Sequence, residues 1–271
     1  MPTLVETVLF YAGFLGSIAP MEIPFDCTQC GRCCHDLRLT LSVEEARAWA
    51  TNGHQVDLLA EGWAWTDYAN EADPAIAWRK ATTFSAMVGD VPFRINLRLV
   101  ARYEGPCPHL LPDMRCGNYE ARPRICRIYP LESRPFEAMT PEKRRCPPEA
   151  WGKGLPVLER NGEPAETEPR AILSQHRQTM VDDVPRKAQL AAALGFTEAA
   201  LAGEGLATCE ASPTTLLAAL EIADQSRTAP RPNWSIVTNR ETTRAMLADL
   251  DCPARLVATG YGFLSAFADE R

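Results

Sequence analysis

The chain has 271 residues, 46% of them hydrophobic and 23% charged, with a net charge of −7. This describes an ordinary globular chain with a sizeable core, and it excludes wholesale disorder and a membrane-spanning bundle. The acidic balance argues against a nucleic-acid partner, because tracking phosphates needs a basic excess.

Residues 1–20 contain an apolar run that carries Glu6, no Lys or Arg and no small-residue cleavage site. It reads neither as an export signal nor as a membrane span, since Val8 to Pro20 falls short of the roughly 20 residues that cross a bilayer. We assign it as an N-terminal extension, with Met21 as a candidate start because the dense cysteine motif begins just after it. Without an export signal the ten cysteines belong to a reducing compartment, and the expected location is cytoplasmic.

Ser42 followed by Glu45 is a capping box and predicts a helix from about Val43 to Ala50. Trp63, Trp65 and Trp78 lie in a segment of mixed polarity; they could line a cleft, and core packing is the stronger expectation. Between Thr82 and Tyr103, Gly89 and Asp90 mark a turn. There Ile95, Leu97 and Leu99 alternate with Arg94, Asn96 and Arg98, which predicts a β-hairpin with one buried face. In the turn-rich stretch that follows, Pro123 suits the first position of a short helix bearing Cys126, and Pro130 ends it.

Gly152 to Pro169 lacks periodicity and reads as a linker or loop. Leu173 to Leu194, Thr214 to Ser226 and Glu241 to Ala268 place apolar residues at helical spacing. The expected class is therefore α+β. A small cysteine-rich metal-binding domain over residues 21–151 carries a short β-hairpin, residues 152–168 link, and residues 169–271 are mainly helical.

Eight of the ten cysteines lie between Cys27 and Cys146, while Cys209 and Cys252 read as buried thiols. In CTQCGRCC, Cys27, Cys30 and Cys33 are three apart and Cys34 follows directly. Three-residue spacing lets a tight turn present successive sulfurs to one ion or cluster, and Gly31 eases the fold. Neighbouring side chains diverge, so Cys33 and Cys34 cannot serve one mononuclear site in the same way. Two centres, or one multinuclear centre, fit better. Cys107, Cys116, Cys126 and Cys146 complete a set large enough for two four-sulfur sites.

His35 and His109 sit within two positions of a cysteine and are expected in supporting or surface roles. Arg32, Arg38, Arg115, Arg122, Arg124, Arg127, Lys143, Arg144 and Arg145 crowd the motif. They are expected to offset sulfur charge, about −2 for four thiolates around a divalent ion. A Gly-rich phosphate loop, a nucleophile elbow and a paired-histidine zinc motif are all absent from the sequence.

The run FDCTQCGRCC, followed by CPHL and then CGNYEARPRICRIYP, resembles the CxxCxxCC zinc- or iron-chelating family, the YkgJ-like cysteine cluster proteins. The resemblance covers residues 24–149 and carries the family pattern onto Cys27, Cys30, Cys33, Cys34, Cys107, Cys116 and Cys126. Tyr119, Arg122, Pro123, Arg127, Tyr129 and Pro130 fall within it, and Cys146 fits the further cysteine that often follows.

What the resemblance implies is chelation of an iron–sulfur cluster or zinc, not a reaction. The sulfur density favours iron–sulfur. Some flagellin lysine methylases resemble this pattern, which keeps an enzymatic reading of redox or methyl-transfer type open. On that reading a pocket beside Arg122, Arg127 or Tyr129 would reach the metal. A third reading makes the metal half a scaffold and gives the C-terminal helices a protein partner.

Overall fold

The computed structural model describes residues 21–65, 72–226, 232–260 and 262–269. The expected N-terminal extension, residues 1–20, lies outside them. The chain runs β1 (Glu22–Pro24), β2 (Arg38–Leu41), α1 (Val43–Thr51), β3 (Val56–Ala64), α2 (Pro74–Ala81), β4 (Phe84–Val88), β5 (Val91–Arg102) and α3 (Arg124–Ile128). It continues through β6 (Val157–Arg160), β7 (Glu163–Pro164), α4 (Thr167–Asp182), α5 (Val184–Ala193), β8 (Glu198–Leu201) and β9 (Gly205–Ala211). The last described elements are α6 (Pro213–Gln225), β10 (Ser235–Thr238), α7 (Glu241–Ala248), β11 (Ala254–Leu256) and β12 (Phe263–Ser265).

The local signals act as their chemistry requires. Ser42 Oγ accepts from Glu45 N at 3.2 Å and Glu45 Oε2 from Ser42 N at 2.8 Å, closing the capping box at the start of α1. The hairpin expected between Thr82 and Tyr103 is β4–β5, turning at Gly89, whose φ is +56°. A side chain at Gly89 would also meet the Asp251 carbonyl at 2.5 Å. Along β5, Phe93, Ile95, Leu97 and Leu99 are buried while Arg94, Asn96 and Arg98 stay half-buried on the other face.

These strands belong to a nine-stranded mixed sheet in the order β11-β10-β8-β3-β5-β2, with β9 on β3, β4 on β5 and β12 on β9. The central β3 runs antiparallel to β5 and β9 and parallel to β8, and β8, β10 and β11 run parallel to one another. The fold is thus mixed α/β, which corrects the α+β expectation: the C-terminal part is not mainly helical.

Residues beyond 169 give β8 to β12 to the same sheet as the hairpin. The helix expected from Leu173 to Leu194 divides into α4 and α5 at Asp183, whereas α6 matches the helix expected over Thr214–Ser226. The helix expected over Glu241–Ala268 stops at Ala248, because Asp251 takes a φ of +53° and Pro253 cannot continue it. Residues 152–168, expected as a linker or loop, carry β6 and β7, and β6 pairs with β1 on one side and β7 on the other as a small three-stranded sheet.

The core lies where α1, α5 and α6 cover the sheet, with Leu58, Ile95, Leu97, Leu99, Leu190 and Leu220 fully buried. Each such side chain contributes about 1.5–3 kcal/mol relative to exposure. A smaller cluster of Ile128, Leu131, Ile172 and Leu173 joins α3 to α4. Buried Asp183 accepts from Val43 N at 2.8 Å, so the α4–α5 elbow is fastened to the first turn of α1.

His176 of α4 is buried, and burial holds its imidazole below the ordinary value, with the Glu45 charge opposing. Unfolded, it takes a proton as pH passes below about 6.5, while the folded form stays neutral to lower pH. The unfolded state then binds more protons, so stability present above about pH 6.5 is lost as pH falls. Urea midpoints should decline from pH 7.5 to pH 5.5, with His109 adding in the same direction. His176→Gln should flatten the slope in part, and an unchanged slope would remove His176 as its source.

Candidate metal centre

The cysteine segments meet because strand pairing continues past the strands. With Arg38 opposite Arg102, Asp36 N donates to Gly105 O at 2.8 Å and His35 bridges Pro106. Cys107 N then donates to Cys34 O at 2.6 Å. Ahead of this junction Gly31, at φ +69°, begins the 3-10 turn Arg32–Cys34. A side chain there would also stand 3.0 Å from Met114 Cε. His35 Nδ1 closes on Gly31 O at 2.9 Å, across the 3-10 turn.

Beyond Cys107 a tight loop returns through Leu111 N→Arg115 O at 2.9 Å and Gly117 N→His109 O at 2.7 Å, with Cys116 bridging Leu110. Cys126 rides on α3, where Pro123 takes the cap rather than the first helical position. Glu45 sets the place of this helix. Its Oε1 accepts from Arg124 N at 2.8 Å while its Oε2 holds Ser42 N, so one carboxylate caps two helices.

The early and late ends of the motif are joined separately. Phe25 N and Asp26 N donate to Pro156 O and Ala150 O at 2.9 and 3.0 Å, and Phe25 packs on Trp151 with ring centroids 4.7 Å apart. The Tyr129 hydroxyl accepts from Arg145 N at 2.9 Å and favours the charged form of Cys146, while the Arg145 guanidinium donates to His35 O.

All ten cysteines are free thiols. Of the eight in the motif Cys27 is exposed and the others are half-buried; Cys252 is buried as expected, whereas Cys209, expected to be buried, is half-buried. Cys33 Sγ and Cys34 Sγ lie 3.9 Å apart. That hydrogen bond, with burial, raises Cys33, and the same bond lowers Cys34.

Charge reaches across the motif in two patterns. Cys126 is pushed up to about 12, first by burial and then by Cys107, Cys33 and Cys116. Cys107 is raised by burial, with Cys116 and Cys33 adding, and Cys34 feels Cys107, Cys126 and Cys116. Cys146 is raised by burial and then by Cys33, Cys27 and Cys30. Among the described residues, no three His, Cys, Asp or Glu side chains converge at ion-holding distances. The donor chemistry nonetheless fits a soft cation, because bound positive charge would reverse the penalty these thiols impose on one another.

The basic residues divide differently from the sequence expectation. Arg115, Arg124, Arg127 and Arg144 meet Asp113, Glu45, Glu168 and Glu132. Two guanidinium groups act on sulfur: Arg122 lowers Cys126 and Arg145 lowers Cys33. Arg122 also lies over the Tyr119 ring, 3.8 Å from its centroid. Arg127 is tied to Glu168 at 3.0 Å at the surface, and Tyr129 stands beside Cys146. Two cavities, of about 370 and 540 Å³, are lined by neither a cysteine nor Arg122, Arg127 or Tyr129.

Sequence reasoning missed Tyr103, which favours the charged form of Cys107 and stacks near Trp49 at 6.4 Å, with His109 5.1 Å from Trp49 on an edge. It also missed the second bond of Glu45. The capping box named Glu45 for α1, but nothing in the sequence pairs it with Arg124.

Free cysteines from distant loops lie towards one edge of the α/β sheet, with arginine and tyrosine beside them. Residues 26–147 match the CxxCxxCC family model, described as a putative zinc- or iron-chelating domain, and this part of the chain is a domain of that family. No curated protein and no solved structure matches the chain significantly. Among the described residues, no helix is long and apolar enough to cross a membrane.

Glu45→Gln retains size but replaces one accepting oxygen with a donor. One of the two helix caps then faces an N–H group, which should cost about 1–3 kcal/mol in urea unfolding. A change under about 0.5 kcal/mol, the range of neutral surface substitutions, would show that Glu45 does not brace α3.

Proposed function

We propose that the protein chelates metal through two sets of four thiolates, Cys34, Cys107, Cys116 and Cys126 in one and Cys27, Cys30, Cys33 and Cys146 in the other. The observation that supports the division is that Cys34 feels the downstream trio and Cys146 feels the early one, with Cys33 at the junction acting on Cys107 and Cys126 as well. Four sulfurs suit a structural zinc or a cubane cluster. The Cys33–Cys34 contact links the sets, and that density of sulfur favours iron–sulfur, with zinc the alternative. A bound cluster would supply one-electron redox capacity, whereas zinc would supply rigidity alone.

The chain's own residues make the thiolates tolerable. Arg145 and Arg122 favour the charged forms of Cys33 and Cys126, and the Tyr103 and Tyr129 hydroxyls favour those of Cys107 and Cys146. Burial holds Cys107, Cys126 and Cys146 protonated in its absence, so metal must displace protons to enter. Affinity therefore rises with pH, and closing the loops on metal becomes folding energy. Four protein sulfurs in each set would leave no coordination position open, which favours a structural or electron-carrying role over catalysis at the metal.

Anaerobic purification with elemental analysis and an absorption spectrum tests the reading. Brown protein with iron and sulfide in equal amounts is expected, and colourless protein holding zinc would shift the occupant. Cys126→Ser and Cys146→Ser should each remove about half of the metal if the sets are separate. Loss of all metal from both variants would mean one shared centre, and unchanged content in both would end the chelation reading. Wild-type metal should resist a chelator better at pH 8 than at pH 6.

A further inference from the structure

Most arginines in this protein have a carboxylate beside them. Arg47, Arg98, Arg102, Arg144, Arg186 and Arg255 each meet Asp or Glu within ion-pair distance. Arg170 and Arg177 of α4 do not, among the described residues. They stand two turns apart on one helix face, and each is anchored by a backbone carbonyl instead. Arg170 Nη2 donates to Pro164 O at 2.6 Å and Arg177 Nε to Ser133 O at 3.1 Å. A guanidinium carries five N–H donors, so a single anchor fixes the group and leaves most of its donors uncommitted.

Both arginines line the cavity of about 370 Å³, which falls within the range of roughly 300–1,000 Å³ usual for small-molecule sites. Trp78 of α2 borders it and is half-buried, a cleft position rather than the core packing favoured from the sequence. Leu173 and Val181 add apolar wall, Ser174 and Gln178 add polar groups, and Glu163 of β7 contributes a carboxylate. Two guanidiniums against one carboxylate leave a single local positive charge. That balance favours a monoanion over a phosphate dianion, and the flat indole of Trp78 favours a planar or apolar body.

We propose that this cavity binds a small monocarboxylate with an aromatic or apolar body, its carboxylate held by Arg170 and Arg177 and its body laid against Trp78. The site is independent of the cysteines and of what they bind.

Calorimetric titration of the full chain with indole-3-acetate should show saturable binding. The uncharged isostere indole-3-acetamide and inorganic phosphate should each bind at least ~10-fold more weakly, the loss of roughly one charge-assisted bond. Arg170→Gln with Arg177→Gln should weaken indole-3-acetate by at least ~10-fold at an unchanged urea midpoint. Because Arg170 is exposed, Arg170→Gln alone serves where the double variant loses its fold. Trp78→Phe should bind better than Trp78→Ala. The proposal is overturned if indole-3-acetate shows no saturable binding, if the amide or phosphate binds as tightly, or if the folded arginine variants bind as wild type does.

Discussion

The antiparallel register of β2 against β5 determines which sulfurs can meet. Past Arg38 and Arg102 the two chains go on exchanging backbone hydrogen bonds until Cys107 N reaches Cys34 O. In an extended ladder a slip of one residue turns every side chain to the opposite face, so this register fixes which residues beyond the strand ends stand beside Cys107. The adjacent pair is ambiguous by itself. Its two members are told apart by a hairpin whose buried face, Phe93 to Leu99, is locked into the main core.

That dependence runs from core to site. The sheet and its covering helices hold enough buried apolar surface to fold without metal, whereas the cysteines occupy loops at the sheet's edge. The loops are tethered at few points: Glu45 to α3, Asp26 to Ala150, Tyr129 to Arg145. Energy from a bound metal would therefore order these loops rather than the sheet, and loss of metal would leave the core standing. In smaller zinc domains, by contrast, metal and fold are lost together.

The parts of the fold that could be read in the sequence are those where a local rule acts alone. The Ser42–Glu45 box, the β4–β5 alternation and the short helix between Pro123 and Pro130 are local, and all three formed, with Pro123 displaced by one position to the cap. Strand β3 was hidden because Val56 to Ala60 are buried on both faces, which erases the period-two signal. Strands β8, β10 and β11 are three or four residues long, and their parallel pairing depends on segments far away in sequence. In an alanine-rich region such short strands imitate helix. Within the site, the sequence revealed the sulfurs but not their surroundings, because the placement of Tyr103 and the second bond of Glu45 are properties of tertiary register.

The same limit applies to the arginines and shows what their number conceals. Nine basic residues near the cysteines suggested a shared duty to sulfur, yet at Arg115, Arg124, Arg127 and Arg144 the nearest opposite charge is a carboxylate. In a chain with a net charge of −7, carboxylates outnumber guanidiniums, and pairing is the expected fate of an arginine. A guanidinium that stays without a carboxylate while held in place by a ring or a carbonyl is therefore the informative case. Arg122 over Tyr119 and Arg145 on His35 O face sulfur; Arg170 on Pro164 O and Arg177 on Ser133 O face a cavity. Fixing a cation without neutralising it preserves its field for something else, which is the electrostatic condition for binding an anion, whether a thiolate of the chain itself or a carboxylate from solution.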